Sequence, residues 1–449
     1  MMGRLLLYAY VFYVIYAPPL PFGGGLLRTI VLIIVPVLVF FGGALSKRPY
    51  MAGFRLLRKP VIAAFLIATL FGALYVAILV TSTAVVSDLQ STRLVQNLLP
   101  ALVVVNAAVI VGLLKATGHS RWRAFEVLLW MGSFQGIFSI AGALAEPIHD
   151  ISRSLYAASG GMNEFVASDR IYGLSTDFTY GTAIYHGILA AVAIWYMVSE
   201  RKRCYVVPAL LIIATSALNA RTGVLVFVGM VSICLVLHYM ARLNVIRLTA
   251  VILVGWGILY LVTELLRDFV PAVYATYEAF IQDTRNLIYL DQYTGNYSVL
   301  VPEIQRVPQG LGLIFGEGRR LYDLGAGERT DIGFTNDLFL GGLMYVVPVY
   351  FCFIVFLMSK VSSSRVLGVA LVFAAVVSSM KGEMFHNASI LFAFALVKLI
   401  ELQFLDSTDA SHHAEGDRGE TISGPSLPGP RAPFERGRSG TWLRERRES

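Results

Sequence analysis

One arginine lies where a membrane-spanning chain usually avoids cations. Arg221 belongs to the turn Asn219-Ala220-Arg221-Thr222-Gly223 between two apolar runs, on the side whose short loops carry few other cations. Two interpretations stay open. The side chain either snorkels to lipid headgroups, or it is held at membrane depth to bind an anionic headgroup. A guanidinium is always charged and can bind a diphosphate with two parallel hydrogen bonds, so Arg221 is the first candidate catalytic residue.

Further charged candidates lie in two long polar segments, residues 146–179 and 267–335. In the second segment an amphipathic pattern begins at Phe269 and predicts a helix on the membrane surface, with Arg285 near its end in the headgroup plane. For any other single charge of that segment, a solvated surface is the simpler interpretation. The remaining candidates of the two segments are Arg170, Tyr172, Asp177, Glu317, Arg319, Arg320 and Asp331.

The histidines and cysteines give no sign of a metal site. None of the seven histidines belongs to an H-x-x-x-H or His/Asp cluster, and the three cysteines have no C-x-x-C spacing, so we interpret the cysteines as core residues. His186 falls inside a predicted span as a hydrogen-bonded core histidine, whereas His386 lies beside Glu383 at the outer end of the last predicted hairpin. There is no Walker loop, Rossmann fingerprint or Asp-x-Asp pair. Metal and nucleotide chemistry are therefore not supported, and we predict no cofactor.

The elements that position these residues follow from composition. Of 449 residues, 56% are hydrophobic and 14% are charged, against roughly 25% charged in a soluble domain. The apolar runs are continuous rather than alternating, which favours helices over a barrel. We predict an all-α polytopic membrane bundle of about twelve helices. The spans lie near residues 5–20, 26–45, 61–86, 95–114, 124–145, 180–199, 204–219, 223–240, 248–266, 336–358, 365–380 and 387–403.

The positive charges of the short loops predict how the chain is oriented in the membrane. With Arg4, alternate short loops hold 16 Lys and Arg on one side, against four on the other, which predicts that both termini are cytoplasmic. The two long segments then become external loops. Residues 1–405 form the predicted transmembrane domain, and residues 406–449, which have few apolar side chains, are predicted to be a disordered cytoplasmic tail.

Four segments between about residues 165 and 355 carry a resemblance. They are Arg170-Ile-Tyr-Gly173-Leu-Ser-Thr-Asp177, Ala220-Arg221-Thr222-Gly223, Arg285-Asn-Leu-Ile-Tyr289 with Leu313-Ile-Phe-Gly316-Glu-Gly318, and Phe334-Thr-Asn336-Asp-Leu338 through Gly342. In order and spacing they resemble the O-antigen polymerase and O-antigen ligase-like family of bacterial envelope proteins. The corresponding family features are an Arg-x-x-Gly loop, a Ser-Arg-Thr-Gly turn, an Arg-plus-aromatic helix with a Gly-x-Gly segment, and a His-Asn-x-x-Leu start of a span.

The resemblance implies a reaction. A glycan on undecaprenyl diphosphate is the donor, a sugar hydroxyl of a second lipid-linked repeat unit is the acceptor, and the lipid diphosphate leaves. Arg221 and Arg285 would neutralise the diphosphate without a metal, and Asp177, Glu317 or Asp331 would take the acceptor proton. The predicted substrate-binding residues are Arg170, Tyr172, Arg319, Arg320, Asn336 and His386.

The expected location is the bacterial inner membrane, with periplasmic loops and with a chain-length regulator and a flippase as protein partners, but no nucleic acid. Family ligases carry a histidine where this chain has Thr335, which favours a polymerase over a ligase that transfers glycan to lipid A core. A transporter or flippase is the third alternative. It would be expected to concentrate charge and broken helices inside the bundle, whereas the sequence places charge in external loops and shows no internal repeat.

Overall fold

The computed structural model describes residues 2–18, 24–46, 51–82, 96–158, 173–175, 180–240, 271–290, 302–303, 305–321, 330–359 and 365–416, with scattered positions between 246 and 298. Within these residues every regular element is a helix. The predicted all-α class is therefore confirmed for this part of the chain.

The helices follow the apolar runs of the sequence, and short turns connect many of them. In chain order they are α1 (Met2–Tyr16), α2 (Gly24–Ser46), α3 (Met51–Leu57), α4 (Pro60–Ser82), α5 (Leu99–Ala116), α6 (Arg121–Leu144), α7 (Glu146–Ala158), α8 (Gly181–Ser199), α9 (Val206–Asn219), α10 (Arg221–Met240), α11 (Pro271–Leu290), α12 (Leu311–Phe315), α13 (Gly333–Met358), α14 (Arg365–Lys381) and α15 (Ala388–Gly416). Two 3-10 turns, Arg203–Tyr205 and Met384–His386, precede α9 and α15.

Six of these helices are long and apolar enough to cross a membrane: α4, α5, α6, α8, α10 and α13. Shorter apolar helices cover Gly3–Tyr16, Leu27–Gly43 and Arg203–Asn219, and the span predicted near 248–266 falls largely outside the described residues. The chain is thus a helical membrane protein. The total of twelve spans stays a prediction.

The centre of the bundle is α8. Fifteen of its 19 residues are buried, and it packs against α9, α10 and α14. His186 lies on this helix without solvent exposure, and its Nε2 is 2.9 Å from the Tyr16 hydroxyl, so the interpretation as a core histidine is confirmed. By contrast, α4 buries one helical stripe of eight residues against α13. Its remaining apolar surface is available to lipid.

Three features differ from the sequence interpretation. The polar segment 146–179, which the sequence predicted to be a loop, begins with the helix α7. Cys204 is exposed, so the core interpretation is wrong for this cysteine. Charge is also found inside the bundle: Glu401 is fully buried and accepts an ion pair from Arg121 at 3.1 Å, and Lys398 donates to the carbonyl of Leu357 at 2.9 Å.

Two compact units divide the chain. Met1–Asp406 is the first and Ser407–Ser449 is the second. In the second unit the backbone of α15 continues as a helix to Gly416. Residues 417–449 of the predicted tail lie outside the described residues.

Candidate functional site

A break in α13 organises the candidate site. Gly342 has φ +60° and ψ −164°, which interrupts the helix within an apolar span. The carbonyls of Phe339 and Leu340 consequently accept hydrogen bonds from outside the helix, from the amides of Glu317 at 2.8 Å and Gly318 at 3.2 Å. In a membrane, backbone groups freed by such a break must find partners within the protein. The segment after α12 supplies these partners and is thereby fixed against α13.

Gly316 lets this segment approach the helix closely. Its φ is +79°, and a Cβ added to it would lie 2.6 Å from the Cα of Gly341. Only glycine fits both the backbone conformation and the space. The segment so positioned carries Glu317, Arg319 and Arg320, three of the residues singled out in the sequence.

Arg320 is the centre of a buried polar cluster. Its side chain is only 2% exposed, and Nη2 forms an ion pair with the carboxylate of Glu383. The same Nη2 is 3.3 Å from Nδ1 of His386, whose Nε2 is 2.9 Å from Oδ1 of Asn97. Because a guanidinium can only donate, we assign His386 the tautomer in which Nδ1 accepts and Nε2–H donates to Asn97. We define these four residues as the Arg320 cluster.

Two donor atoms of Arg320 take no part in these contacts. Within the part of the chain that the structure describes, Nε and Nη1 of Arg320 are buried and have no hydrogen-bond acceptor. An unsatisfied buried donor costs free energy, more so when it is charged. Nε–H and the N–H groups of Nη1 lie on different edges of the planar guanidinium, so each suits its own acceptor oxygen, such as an oxygen of an anionic ligand.

The turn that carries Glu383 and His386 is held by α8 and α13. The amide of Glu383 donates to the hydroxyl of Tyr180 at 3.0 Å, and Tyr180 is the residue before α8. At the start of α13, Gly333 packs so closely on the carbonyl of Gly382 that an added Cβ would lie 2.1 Å from it. Three distant parts of the chain therefore meet at the Arg320 cluster.

Asp337 is a functional candidate that the sequence interpretation missed. It lies in the first part of α13, before the break, and has no solvent exposure. Oδ2 accepts a hydrogen bond from the Tyr350 hydroxyl at 2.9 Å, and Oδ1 is without an acceptor or donor partner among the described residues. Its carboxylate interacts electrostatically with Arg320 and Glu383. An acid within an apolar span is itself a signal that could have identified it.

The structure brings together two of the predicted substrate-binding residues, Arg320 and His386, which contact each other directly. Arg319 is 46% exposed and forms an ion pair with Glu317 at 2.7 Å. Asn336 is fully buried, and its amide nitrogen donates to the carbonyls of Thr330 at 3.0 Å and Ile332 at 3.1 Å. These bonds give Asn336 a structural role at the start of α13.

The two predicted catalytic arginines lie on α10 and α11. Arg221 is half-buried in the first turn of α10, where Ala220 is the single residue between α9 and α10, so it is a helical residue and not a loop residue. Arg285 is exposed on α11, and the predicted helix of that segment is confirmed. Neither arginine is a hydrogen-bond or ion-pair partner of Arg320. Asp331 is exposed just before α13.

The loop before α8 can be described only in part. Arg170, Tyr172 and Asp177 lie outside the described residues. Gly173, the last residue of the Arg-x-x-Gly motif, has φ +59°, and its carbonyl accepts a hydrogen bond from Ser152 at 3.0 Å. The next amide, of Leu174, donates to Oε1 of Gln135 at 2.9 Å. Gly173 and Leu174 are thus anchored to α7 and α6.

Thr335, at the position of the ligase histidine, is 1% exposed, and its hydroxyl is 3.5 Å from the carbonyl of Glu303. Among the described residues no group of three or more His, Cys, Asp or Glu side chains is arranged to hold a metal ion. Comparison with protein-family models, with curated proteins and with solved structures gave no match.

Proposed function

We propose that the protein is a glycosyltransferase that polymerises oligosaccharide repeat units carried on undecaprenyl diphosphate, for an O-antigen, a capsule or an exopolysaccharide. The observation that carries the proposal is the buried Arg320, whose Nε and Nη1 have no acceptor among the described residues. The order and spacing of the motifs that resemble the O-antigen polymerase and ligase-like family support the same reaction.

The proposed reaction needs little covalent chemistry from the protein. The oxygen of an acceptor sugar hydroxyl attacks the anomeric carbon of the donor, the bond from that carbon to the diphosphate oxygen breaks, and undecaprenyl diphosphate leaves. The hydroxyl proton passes to a carboxylate, for which Asp331 and Asp177 are the candidates. The negative charge that grows on the diphosphate is stabilised by arginines placed in advance.

Arg320 joins Arg221 and Arg285 in this proposal as a phosphate ligand. Its ion pair with Glu383 holds the guanidinium in one orientation, and the N–H groups of Nε and Nη1, which lie on different edges of the guanidinium, can each donate to a phosphate oxygen. His386, Arg319 and Tyr172 are proposed to contact the sugars or the diphosphate around it. Asn336 would act by shaping the start of α13.

The proposal includes a topology. Twelve spans would place both termini in the cytoplasm of a bacterium and residues 146–179 and 267–335 in the periplasm. The excess of Lys and Arg in alternate loops supports this orientation. The substrate would then reach the site from the outer leaflet of the inner membrane, where lipid-linked repeat units are delivered by a flippase and where a chain-length regulator would act.

The first experiment replaces Arg320. Arg320→Ala removes the charge and the N–H donors of the guanidinium, whereas Arg320→Lys keeps the charge but not the planar arrangement of donors. A charge-assisted hydrogen bond is worth about 1.5–3 kcal/mol, which is about ten- to a hundred-fold in rate if it forms in the transition state. In a knockout strain complemented at normal protein level, we expect Arg320→Ala to lose long glycan chains on a gel while single units remain. Exposed Arg306 provides the control, Arg306→Ala.

A matched variant separates binding from structure. Glu383→Gln breaks the same ion pair but leaves the guanidinium in place. If Arg320 only ties its segment to the turn at Glu383, both variants should lose equal activity and equal thermal stability in detergent. If Arg320 binds phosphate, Arg320→Ala should lose at least about ten-fold more activity than Glu383→Gln. Equal activity loss in the two variants would contradict the proposed role.

A transporter is the second candidate, because two observations favour it. The helix α13 is broken inside a span, and Asp337 is buried within it; transporters use such features to bind ions and substrates. Purified protein in liposomes with lipid-linked repeat units decides between the two. A polymerase lengthens the glycan and releases undecaprenyl diphosphate, whereas a transporter moves the units without changing their length. A ligase would do neither until lipid A core is added.

A further inference from the structure

A polar cavity lies at the start of α1 and the connection between α5 and α6, apart from the Arg320 cluster. Its volume is about 230 Å³, and its main lining residues are Arg4, Tyr8, His119, Arg123, Glu126 and Trp130. None of these residues belongs to the Arg320 cluster. In the predicted topology this cavity faces the cytoplasm, at the boundary between membrane and water.

The inner wall of the cavity is fixed by hydrogen bonds. Nη2 of Arg4 donates to the carbonyl of Thr117 at 3.1 Å, and the hydroxyl of Tyr8 is 2.8 Å from Nε2 of His119. Burial lowers the pKa of His119 below its ordinary value; the hydrogen bond to the backbone of Leu114 opposes this shift, and Arg4 and Arg123 add to it. His119 is therefore neutral near pH 7 and serves as a hydrogen-bonding group.

Arg123 contributes a positive charge that is available to bind an anionic ligand. In the described part of the chain, no carboxylate lies within ion-pair distance of Arg123. Arg4 and Arg123 carry two positive charges, and Glu126 carries one negative charge, so the ionised lining of the cavity is net positive by one. Glu126 also interacts with the Tyr205 hydroxyl. The cavity thus offers two guanidinium groups and one carboxylate to an occupant.

Apolar surface begins directly beside these charges. Trp130 follows Arg123 by about two turns on α6 and is 68% exposed, and Leu5 follows Arg4 on α1 and is also 68% exposed. Cations at the rim with a tryptophan and aliphatic side chains next to them are the pattern of a membrane–water boundary. A ligand with a charged headgroup and apolar chains could contact both the charged lining and the apolar surface beside it.

We propose that this cavity binds the headgroup of a membrane phospholipid with one net negative charge and free hydroxyl groups, of the phosphatidylglycerol class. Its phosphate oxygens accept from Arg4 and Arg123, a headgroup hydroxyl donates to Glu126, and the acyl chains lie along Leu5 and Trp130. The single net positive charge of the cavity matches this lipid better than a zwitterionic one. The inference does not depend on the proposed glycosyltransferase activity.

Native mass spectrometry of the delipidated full chain in detergent tests the proposal, with phosphatidylglycerol, phosphatidylethanolamine and phosphatidylcholine added in equal amounts. We expect preferential retention of phosphatidylglycerol. Arg4→Gln and Arg123→Gln should each weaken it by about ten-fold or more. The matched control is Arg58→Gln, since Arg58 is an exposed cation away from the cavity; its affinity should stay within about two-fold of wild type.

Three outcomes would overturn the inference. One is unchanged affinity for phosphatidylglycerol in both Arg4→Gln and Arg123→Gln. Another is equal retention of phosphatidylethanolamine and phosphatidylglycerol by the wild-type chain. The third is binding of soluble glycerophosphoglycerol as tightly as the lipid, which would make the ligand a free phosphodiester. Because Arg123 makes no side-chain bond within the described fold, its variant remains informative even if Arg4→Gln lowers stability.

Discussion

The contact between Gly316 and the broken helix α13 can be tested by adding a single methyl group. Gly316→Ala places a Cβ 2.6 Å from the Cα of Gly341, and the backbone there has φ +79°. Gly310→Ala is the matched variant. Gly310 has φ +58° but no atom within 4 Å of an added Cβ. Both alanine variants are destabilised by the positive φ, and only Gly316→Ala also brings the added methyl group against α13.

The difference between the two variants isolates the contact. Both glycines combine a positive φ with an extended ψ, −130° at Gly310 and 173° at Gly316. This region is essentially confined to glycine and costs an alanine on the order of 1–3 kcal/mol, a cost that both variants carry. At Gly316 the added methyl group either overpacks against Gly341, at about 1–3 kcal/mol, or pushes the segment away. The second outcome loses the two hydrogen bonds to Phe339 and Leu340, each worth about 1 kcal/mol. We therefore expect Gly316→Ala to be about 1–3 kcal/mol less stable than Gly310→Ala.

The free energy of unfolding in mixed detergent micelles measures this difference, and glycan sizing measures its consequence. Since the Gly316 contact positions Arg320, Gly316→Ala should also lose polymer, while Gly310→Ala should retain it at a temperature where both variants are folded. A stability difference below about 0.5 kcal/mol, which is the ordinary scatter of surface substitutions, would show that the segment does not depend on its contact with α13.

Three further predictions come from the sequence. A cysteine at position 160 should react with an impermeant external reagent, and one at position 203 should not; external labelling at 203 would overturn the topology. Activity should survive EDTA, and an absolute need for Mg²⁺ or Mn²⁺ would count against a diphosphate site built of arginines. Arg221→Ala and Arg285→Ala should abolish detectable polymer at normal protein level while Arg306→Ala does not, and full-length polymer in both would refute their catalytic role.

The lengths of the apolar runs predicted the helices well, because an apolar run depends only on local composition. The predicted spans near 124–145 and 180–199 correspond to Arg121–Leu144 and Gly181–Ser199, and the pattern beginning at Phe269 corresponds to Pro271–Leu290. The break at Gly342 could not be predicted in this way. A Gly-Gly pair in an apolar run equally suits close packing of two helices. The carbonyls that it frees are satisfied by residues more than twenty positions earlier in the chain.

The candidate site was predicted in pieces. Arg320 and His386 were singled out from the sequence, but their contact joins positions 66 residues apart, and no local pattern reports such a pairing. Glu383 was noted only as a neighbour of His386, and Asp337 was passed over as part of a motif. Arg221 was placed in a loop because Asn219 and Gly223 suggest a turn. The actual turn needs one residue, Ala220.

Two arginines with buried donor atoms differ in how the protein stabilises their charge. Arg121 likewise has two buried donor atoms, Nε and Nη2, without a hydrogen-bond partner among the described residues. Its guanidinium, however, lies over the rings of Trp122 at 4.3 Å and Tyr196 at 5.3 Å, and it forms an ion pair with Glu401. Aromatic faces stabilise a desolvated cation.

The side chain of Arg320 is more buried, at 2% exposed against 14% for Arg121, and has its ion pair with Glu383. Within the described chain no aromatic ring covers Arg320, and its donor atoms Nε and Nη1 stay unused. A buried ion pair rarely improves stability over apolar packing, so stability does not explain why this arginine is there. The acceptor that its remaining N–H groups need is most simply supplied by a ligand. The proposed anionic substrate would account for the arginine, for the carboxylate that orients it and for the segment that carries it.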